Sequence, residues 1–346
     1  MQTKFRNSIY WEFLLYGLYL IYTTKGGIIM KGWQFVETNK PLELVEKEDP
    51  KAEVGQVVID MKVAGLCHSD VGVLRDPGWK ALLGELPVIM GHEVAGVISE
   101  IGEGVTDYQV GDKVAVCPTG PSGQAPGYAY DGGFGTKVLA PAEDLVIIPD
   151  GVSFAQAAAG TDAGMTSYHA AFTKGGIKEG MVVGMIGIGG LGQIALEAAI
   201  AIGATVYAID LNPKARELAK ELGAAGVYEN VKEIEQFEPE VIIDYAGFDV
   251  TTREALEAIG FQGKVVLVGM GKLETTLNVT SLITKQATLV GSNGGTKQDI
   301  EDIYELFASG KVSPKITEIT FDEIPEGIQM LEDNKVTGRL VANMEK

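Results

Sequence analysis

The chain has 346 residues, 46% hydrophobic and 22% charged, with 28 basic against 47 acidic side chains and a formal net charge of −19. This composition excludes a disordered or fibrous protein, and the acidic balance without a basic block argues against nucleic-acid partners. Two cysteines, Cys67 and Cys117, are too few for a secreted disulfide scaffold, which leaves a cytoplasmic location as the simplest setting.

In chain order, residues 9–22 come first, an apolar, aromatic-rich run broken only by Glu12. It falls short of the roughly 20 apolar residues of a spanning helix. Glu12 and the lack of a small-x-small cleavage site spoil it as a signal peptide. Met30-Lys31-Gly32-Trp33 then opens a strand-like segment. The expectation is a native start at Met30, with residues 1–29 an extension foreign to the native protein. An added helix packing on the protein or a partner is one alternative. A membrane-associated segment is the other, and a membrane partner is not expected.

From Met30 to about Pro149 the pattern is short strands and turns. Residues 57–63 alternate at their end as a half-buried strand does, and residues 92–98 and 113–116 read similarly. Gly and Pro punctuate at roughly eight- to twelve-residue spacing, which predicts an all-β, barrel-like unit. Residues 118–135 hold six glycines and three prolines and read as a loop. From about Gly151 the period changes. Residues 153–174 read as a helix with Ser153 as its N-cap. Candidate strands follow at 181–188, 204–210, 226–229, 241–246, 264–269 and 288–291, with helices between them, such as 191–202 and 213–222. That alternation predicts an α/β class with a doubly wound parallel sheet. A helix at 299–309 and strand-like segments at 316–321 and 339–344 complete the chain.

Gly187-Ile188-Gly189-Gly190-Leu191-Gly192 fits G-x-G-x-x-G between a strand and a helix. Gly187 permits the tight turn, Gly189 lets a pyrophosphate approach the backbone, and Gly192 lets the helix pack on the strand. The pyrophosphate would rest where Gly190 and Leu191 open the helix N-terminus. Asp210 ends the next strand, where a carboxylate accepts hydrogen bonds from ribose hydroxyls and repels a 2′-phosphate. NAD is therefore expected over NADP, the alternative being a plain glycine turn beside a solvated Asp.

Of only three histidines and two cysteines, His68, His92 and Cys67 fall in two polar, glycine-flanked clusters, Gly65–Asp70 and Gly91–Glu93. Cys67 and His92 offer a thiolate and an imidazole, both good zinc donors. A buried hydrophobic Cys and a structural His are the alternatives. Gly96 stands where an H-E-x-x-H peptidase site would need its second His.

With Gly111-Asp112-Lys113-Val114, Asp131-Gly132-Gly133-Phe134 and Gly338-Arg339, these clusters make the chain resemble the zinc-dependent medium-chain alcohol dehydrogenase family from Met30 to the C-terminus. The resemblance implies a GroES-like β-rich catalytic domain (30–151 and 293–346) and a Rossmann NAD-binding domain (152–292). It implies that Cys67 and His92 bind one catalytic zinc, with Asp162 as third ligand where members often carry Cys. It implies that Ser69 contacts the substrate oxygen, Asp70 orients His92 and Glu93 lies near the zinc. His68 and Arg339 would meet cofactor phosphate, and Gly269 would line the cofactor cleft. Trp79, the 118–135 loop and the segment around Gly269-Met270 would wall the substrate pocket. His169 has no matching role and is expected to pack in the core.

Two departures stand out. Cys117 stands alone where many members have a four-cysteine lobe, so no structural zinc is expected. Gly72 stands where several end their proton relay in a histidine, so the proton must leave by ribose hydroxyls and water. The implied activity is hydride transfer between a small alcohol, secondary or polyol-like, and NAD, giving an aldehyde or ketone, in a homodimer or homotetramer. A zinc-free NAD(P)H-dependent enone or quinone reductase and a non-catalytic NAD-binding protein are the rivals.

Overall fold

The computed structural model describes residues 29–346. The expectations for the segment ahead of Ile29 lie outside the described residues. β1 (Ile29–Phe35), β2 (Glu43–Glu48), β3 (Gln56–Leu66), β4 (Val88–Ile89), β5 (Glu93–Ile101), β6 (Lys113–Val116), β7 (Lys137–Pro141) and β8 (Leu145–Ile147) make the first part β-rich. β9 (Val182–Ile186), β10 (Thr205–Ile209), β11 (Gly226–Tyr228), β12 (Val241–Asp244), β13 (Lys264–Leu267) and β14 (Thr288–Gly291) form a second system. β15 (Ile316–Thr320) and β16 (Arg339–Asn343) return to the first.

β3 is the axis of the first system. It pairs antiparallel with β5, with β7 and, near its end, with β16. The sheet order is β15-β16-β3-β5-β6-β8, with β7 also on β3. β3 is buried on both faces rather than half-buried as its alternation suggested. Val57, Ile59, Met61 and Leu66 enter one apolar cluster with Ile89, Met90 and Phe134, while Val63 joins Ala95, Ala115 and Val341 in another beneath helices. A sheet covered on both sides needs near-continuous apolar strands.

The sequence reading passed over a helix, α1 (His68–Arg75), directly after β3. Val73 and Leu74 are its buried apolar residues, and Gly72 interrupts it, so no helical period was visible. Ser153 does cap the next helix: its Oγ accepts from the Gln156 N–H at 3.2 Å, and Gln156 Oε1 accepts from the Ser153 N–H at 3.0 Å. That helix is not uniform. α2 (Phe154–Ala159) passes into a π-helical turn (Gly160–Gly164), then α3 (Met165–Tyr168), then a second π-helical stretch (His169–Lys174).

The second sheet is wholly parallel, in the order β11-β10-β9-β12-β13-β14. Its first strand lies in the middle, so the chain reverses direction of travel between β9 and β12. A crevice opens at the strands' C-terminal ends at such a point. α4 (Gly192–Ala201), α5 (Pro213–Glu221), α6 (Asp249–Ala258) and α7 (Val279–Thr284) intervene between strands. α8 (Lys297–Ala308) and α9 (Ile324–Glu332) then lead back to the β-rich part.

Candidate active site

Three segments converge. β3 delivers Cys67 at the start of α1, the turn before β5 delivers His92, and the first π-helical turn delivers Asp162. Cys67 Sγ lies 3.5 Å from Asp162 Oδ2, and His92 Nε2 lies 3.3 Å from the same oxygen. Glu93 joins them, and one donor atom from each of the four residues lies within 4.8 Å of all the others. Tetrahedral ligands about 2.0–2.3 Å from zinc stand about 3.3–3.8 Å apart. The measured edges match that spacing, and sulfur, imidazole nitrogen and carboxylate oxygen are donors zinc takes, so these residues fit the ion.

Asp70 holds this corner together. Its Oδ2 accepts from the Cys67 backbone N–H at 2.9 Å, and its Oδ1 lies 3.4 Å from His92 Nδ1. Nε2 is thereby left facing the other donors, as a ligating histidine requires. Burial depresses His92, but the Asp70 charge and the hydrogen bonds its ring donates to Asp162 and Asp70 outweigh it, and the imidazole sits well above its usual pKa. Burial raises Asp162, yet the His92 hydrogen bond and charge win and hold it at about 2. Thr166, one helical turn on, donates to Asp162 Oδ1 at 3.2 Å. Ser69 Oγ stands 3.4 Å from His92 Nε2.

Glu93 is fully buried, and a Cβ on Gly65 would collide with its Oε2 at 1.8 Å. Burial lifts its carboxyl to about 7 against the opposing pull of Arg339. Arg339 ion-pairs with Glu93 Oε1 and donates to the Leu66 carbonyl at 3.3 Å. Its other end presses on the glycine turn, where a Cβ on Gly190 would come within 2.9 Å of Nη1. One buried guanidinium thus spans the donor cluster and the turn. His68 projects from the start of α1 into an exposed position, and partial desolvation followed by the Arg339 charge lowers its pKa.

At the turn itself, Gly187 has φ +86°, and a Cβ on Gly192 would lie 2.0 Å from the Gly187 carbonyl oxygen, so helix α4 seats directly on the strand end. Leu191 is the N-cap of α4. A Cβ on Gly189 would meet nothing within 4 Å. Asp210 Oδ2 accepts from the Ile188 N–H and Oδ1 from the Asn212 N–H, both at 2.8 Å. Across the crevice, buried Asp244 accepts from the Ala246 and Gly247 N–H groups and from the Thr251 and Thr252 hydroxyls. Gly269 packs against that turn, a Cβ there lying 2.4 Å from the Ala246 carbonyl carbon.

Two expectations need refining. His169 is buried but is not apolar packing: Nδ1 lies 2.9 Å from Asp299 Oδ2, in a polar cluster with Thr173 and Thr296 that ties the second π-helical stretch to α8. The place of the missing relay histidine is filled, since a Cβ on Gly72 would touch the Trp79 indole at 2.9 Å. Tyr128 was missed altogether. Its ring meets His92 edge-on at 5.5 Å, and burial pushes its phenol up to about 12. Close packing of Gly127 on Gly91 puts it there, and a Gly/Pro loop carries no periodic signal for such a contact. Cys117 is a buried free thiol, 3.7 Å from Met165 Sδ.

Comparison with known proteins gives two family matches: "Alcohol dehydrogenase GroES-like domain" over residues 53–150 and "Zinc-binding dehydrogenase" over residues 190–309. An alcohol dehydrogenase of Geobacillus stearothermophilus is 31% identical over 341 residues, spanning 92% of this chain and 100% of the relative. An NAD-dependent alcohol dehydrogenase of Sulfurisphaera tokodaii is 32% identical over 350 residues, spanning 90% and 99%. The crystal structure of the Aeropyrum pernix alcohol dehydrogenase superposes with a TM-score of 0.83 at 28% identity, covering 91% of this chain and 100% of that one.

Proposed function

The chain belongs to the zinc-dependent medium-chain alcohol dehydrogenase family, and from that premise we propose that it interconverts an alcohol and its aldehyde or ketone with NAD as hydride carrier. The observation that carries the reading is the convergence of Cys67, His92 and Asp162 at zinc spacing, joined to the glycine turn by Arg339. Such a donor set argues against a zinc-free reductase.

When bound, zinc supplies Lewis acidity toward the substrate oxygen and NAD supplies the hydride acceptor. Cys67, His92 and Asp162 would hold the ion, one zinc per chain, and lone Cys117 supports the lack of a second. Asp70 fixes the His92 ring. Ser69 Oγ would accept the substrate hydroxyl proton while releasing its own proton toward water. Glu93, neutralised by Arg339, supplies a nearby carboxylate, while Arg339 and His68 would face cofactor phosphate. Gly189, Gly190 and Leu191 would cradle the pyrophosphate, with Gly187 and Gly192 shaping the turn and Asp210 holding the adenosine ribose. Gly269 would line the nicotinamide side. Trp79 and Tyr128 would wall the substrate side.

The division into a catalytic domain of 30–151 with 293–346 and a dinucleotide domain of 152–292 belongs to the same reading. No helix among the described residues is long and apolar enough to cross a membrane; two free cysteines favour a cytoplasmic setting. A dimer or tetramer contact would lie at edge strand β14 and the exposed apolar residues Met270, Leu273, Val279 and Ile283. Metal analysis should find one zinc per chain. Cys67→Ser and His92→Ala should abolish NAD-linked alcohol oxidation while NADH binding, read by fluorescence, survives. Undiminished turnover in either variant would overturn the zinc mechanism.

A further inference from the structure

Beside Asp210 stands a second charged group that the dinucleotide reading leaves unused. Arg216, on α5, curls back to the end of β10. Its Nη1 donates to the Asp210 carbonyl at 2.7 Å and to the Leu211 carbonyl at 3.0 Å, and its Nη2 ion-pairs with Glu229 just past β11. The Arg216 side chain is 18% exposed and that of Glu229 67%. The Asp210 carboxylate does not pair with it, accepting instead from the Ile188 and Asn212 N–H groups. A cation therefore lies at the strand end where an adenosine ribose would rest, and its charge is cancelled by a carboxylate that has no other hydrogen bond among the described residues.

We propose that the Arg216–Glu229 pair is a second determinant of cofactor choice: Glu229 masks a guanidinium that would otherwise attract a 2′-phosphate. The proposal rests on the reading of Asp210 as the ribose carboxylate. Arg216 has the fork geometry that suits phosphate, and two carbonyls already hold it in place, so little ordering is needed for it to act. Asp210 excludes the phosphate by repulsion, and Glu229 removes the attraction. Both are needed because a lone uncompensated arginine at this point would offset the Asp210 charge.

The test is fluorescence titration of NADPH and NADH into the full chain carrying Glu229→Gln, Asp210→Asn, both, and Glu229→Gln with Arg216→Gln. Glu229→Gln keeps an acceptor for Arg216 and deletes only charge. It should tighten NADPH about tenfold, as expected for unmasking one partly exposed charge, with NADH changed less than about twofold. The gain should shrink at high salt and vanish with Arg216→Gln. Unchanged NADPH affinity in Glu229→Gln, or a gain that persists without Arg216, overturns the proposal. Asp210→Asn alone reports on Asp210 separately: if it leaves NADPH binding unchanged while Glu229→Gln improves it, the Asp210 role fails and the mask stands. Retained NADH binding in Glu229→Gln and in its combination with Arg216→Gln, and an unchanged far-UV circular dichroism spectrum in the Asp210 variants, certify folding.

Discussion

A carboxylate at Asp162 where a thiolate is common changes how the donor set responds to pH. Asp162 is held at about 2 by His92, so it is ionised throughout the working range. In return His92 sits well above its ordinary value without a metal. A ligating imidazole must be neutral, so binding expels that proton. Ligand protons are released on binding, so zinc affinity should rise with pH across the neutral range. Competition against a chromophoric chelator between pH 6 and 8 measures this, and a flat profile contradicts it. Cys67 and His92 were legible because the chain has so few residues of either type. Asp162 was legible only through the family resemblance: its donor partners are 95 and 70 residues away in sequence, and a π-helical turn has no compositional signature. Tyr128 was not legible, since its place beside His92 depends on glycine backbones packing across two loops.

The glycine turn gives the clearest contrast at the level of one element. Gly192→Ala would drive a methyl group to within 2.0 Å of the Gly187 carbonyl oxygen. Backbone cannot yield there without shifting α4, and a loss of about 1–3 kcal/mol is expected, seen as a lower Tm. Gly189→Ala meets no protein atom within 4 Å, so the melt should be unchanged. NADH binding should nonetheless weaken, because that methyl would fill the space a pyrophosphate needs. Equal effects of the two variants on Tm and on NADH affinity would contradict the division of roles. The six parallel strands were all anticipated, since each is a short apolar run between turn residues. α1 and the double burial of β3 were not, for the same reason in two forms. Burial is decided by what lies opposite, and a helix of eight residues broken by glycine leaves too little period to read.

Across the whole molecule, the donor cluster links the β-rich sheet to the helical segment running from α2 to Lys174, which packs on the second sheet through Ala170 and Ala171 beside Val183 and Met185. Zinc that binds only the folded chain stabilises it by mass action, about 4 kcal/mol at a thousandfold excess over Kd. Chelation should accordingly lower Tm, and added zinc should restore it; a melt indifferent to chelator would place the ion elsewhere. The separation of 95 positions between Cys67 and Asp162 has a further consequence. In a nascent or denatured chain the donors are scattered, and gathering them means closing a ring of that length, whose entropic penalty grows with its logarithm. The ion should therefore be held more weakly by an unfolded chain than by a folded one. Tight retention would accordingly mark a chain whose tertiary structure is in place.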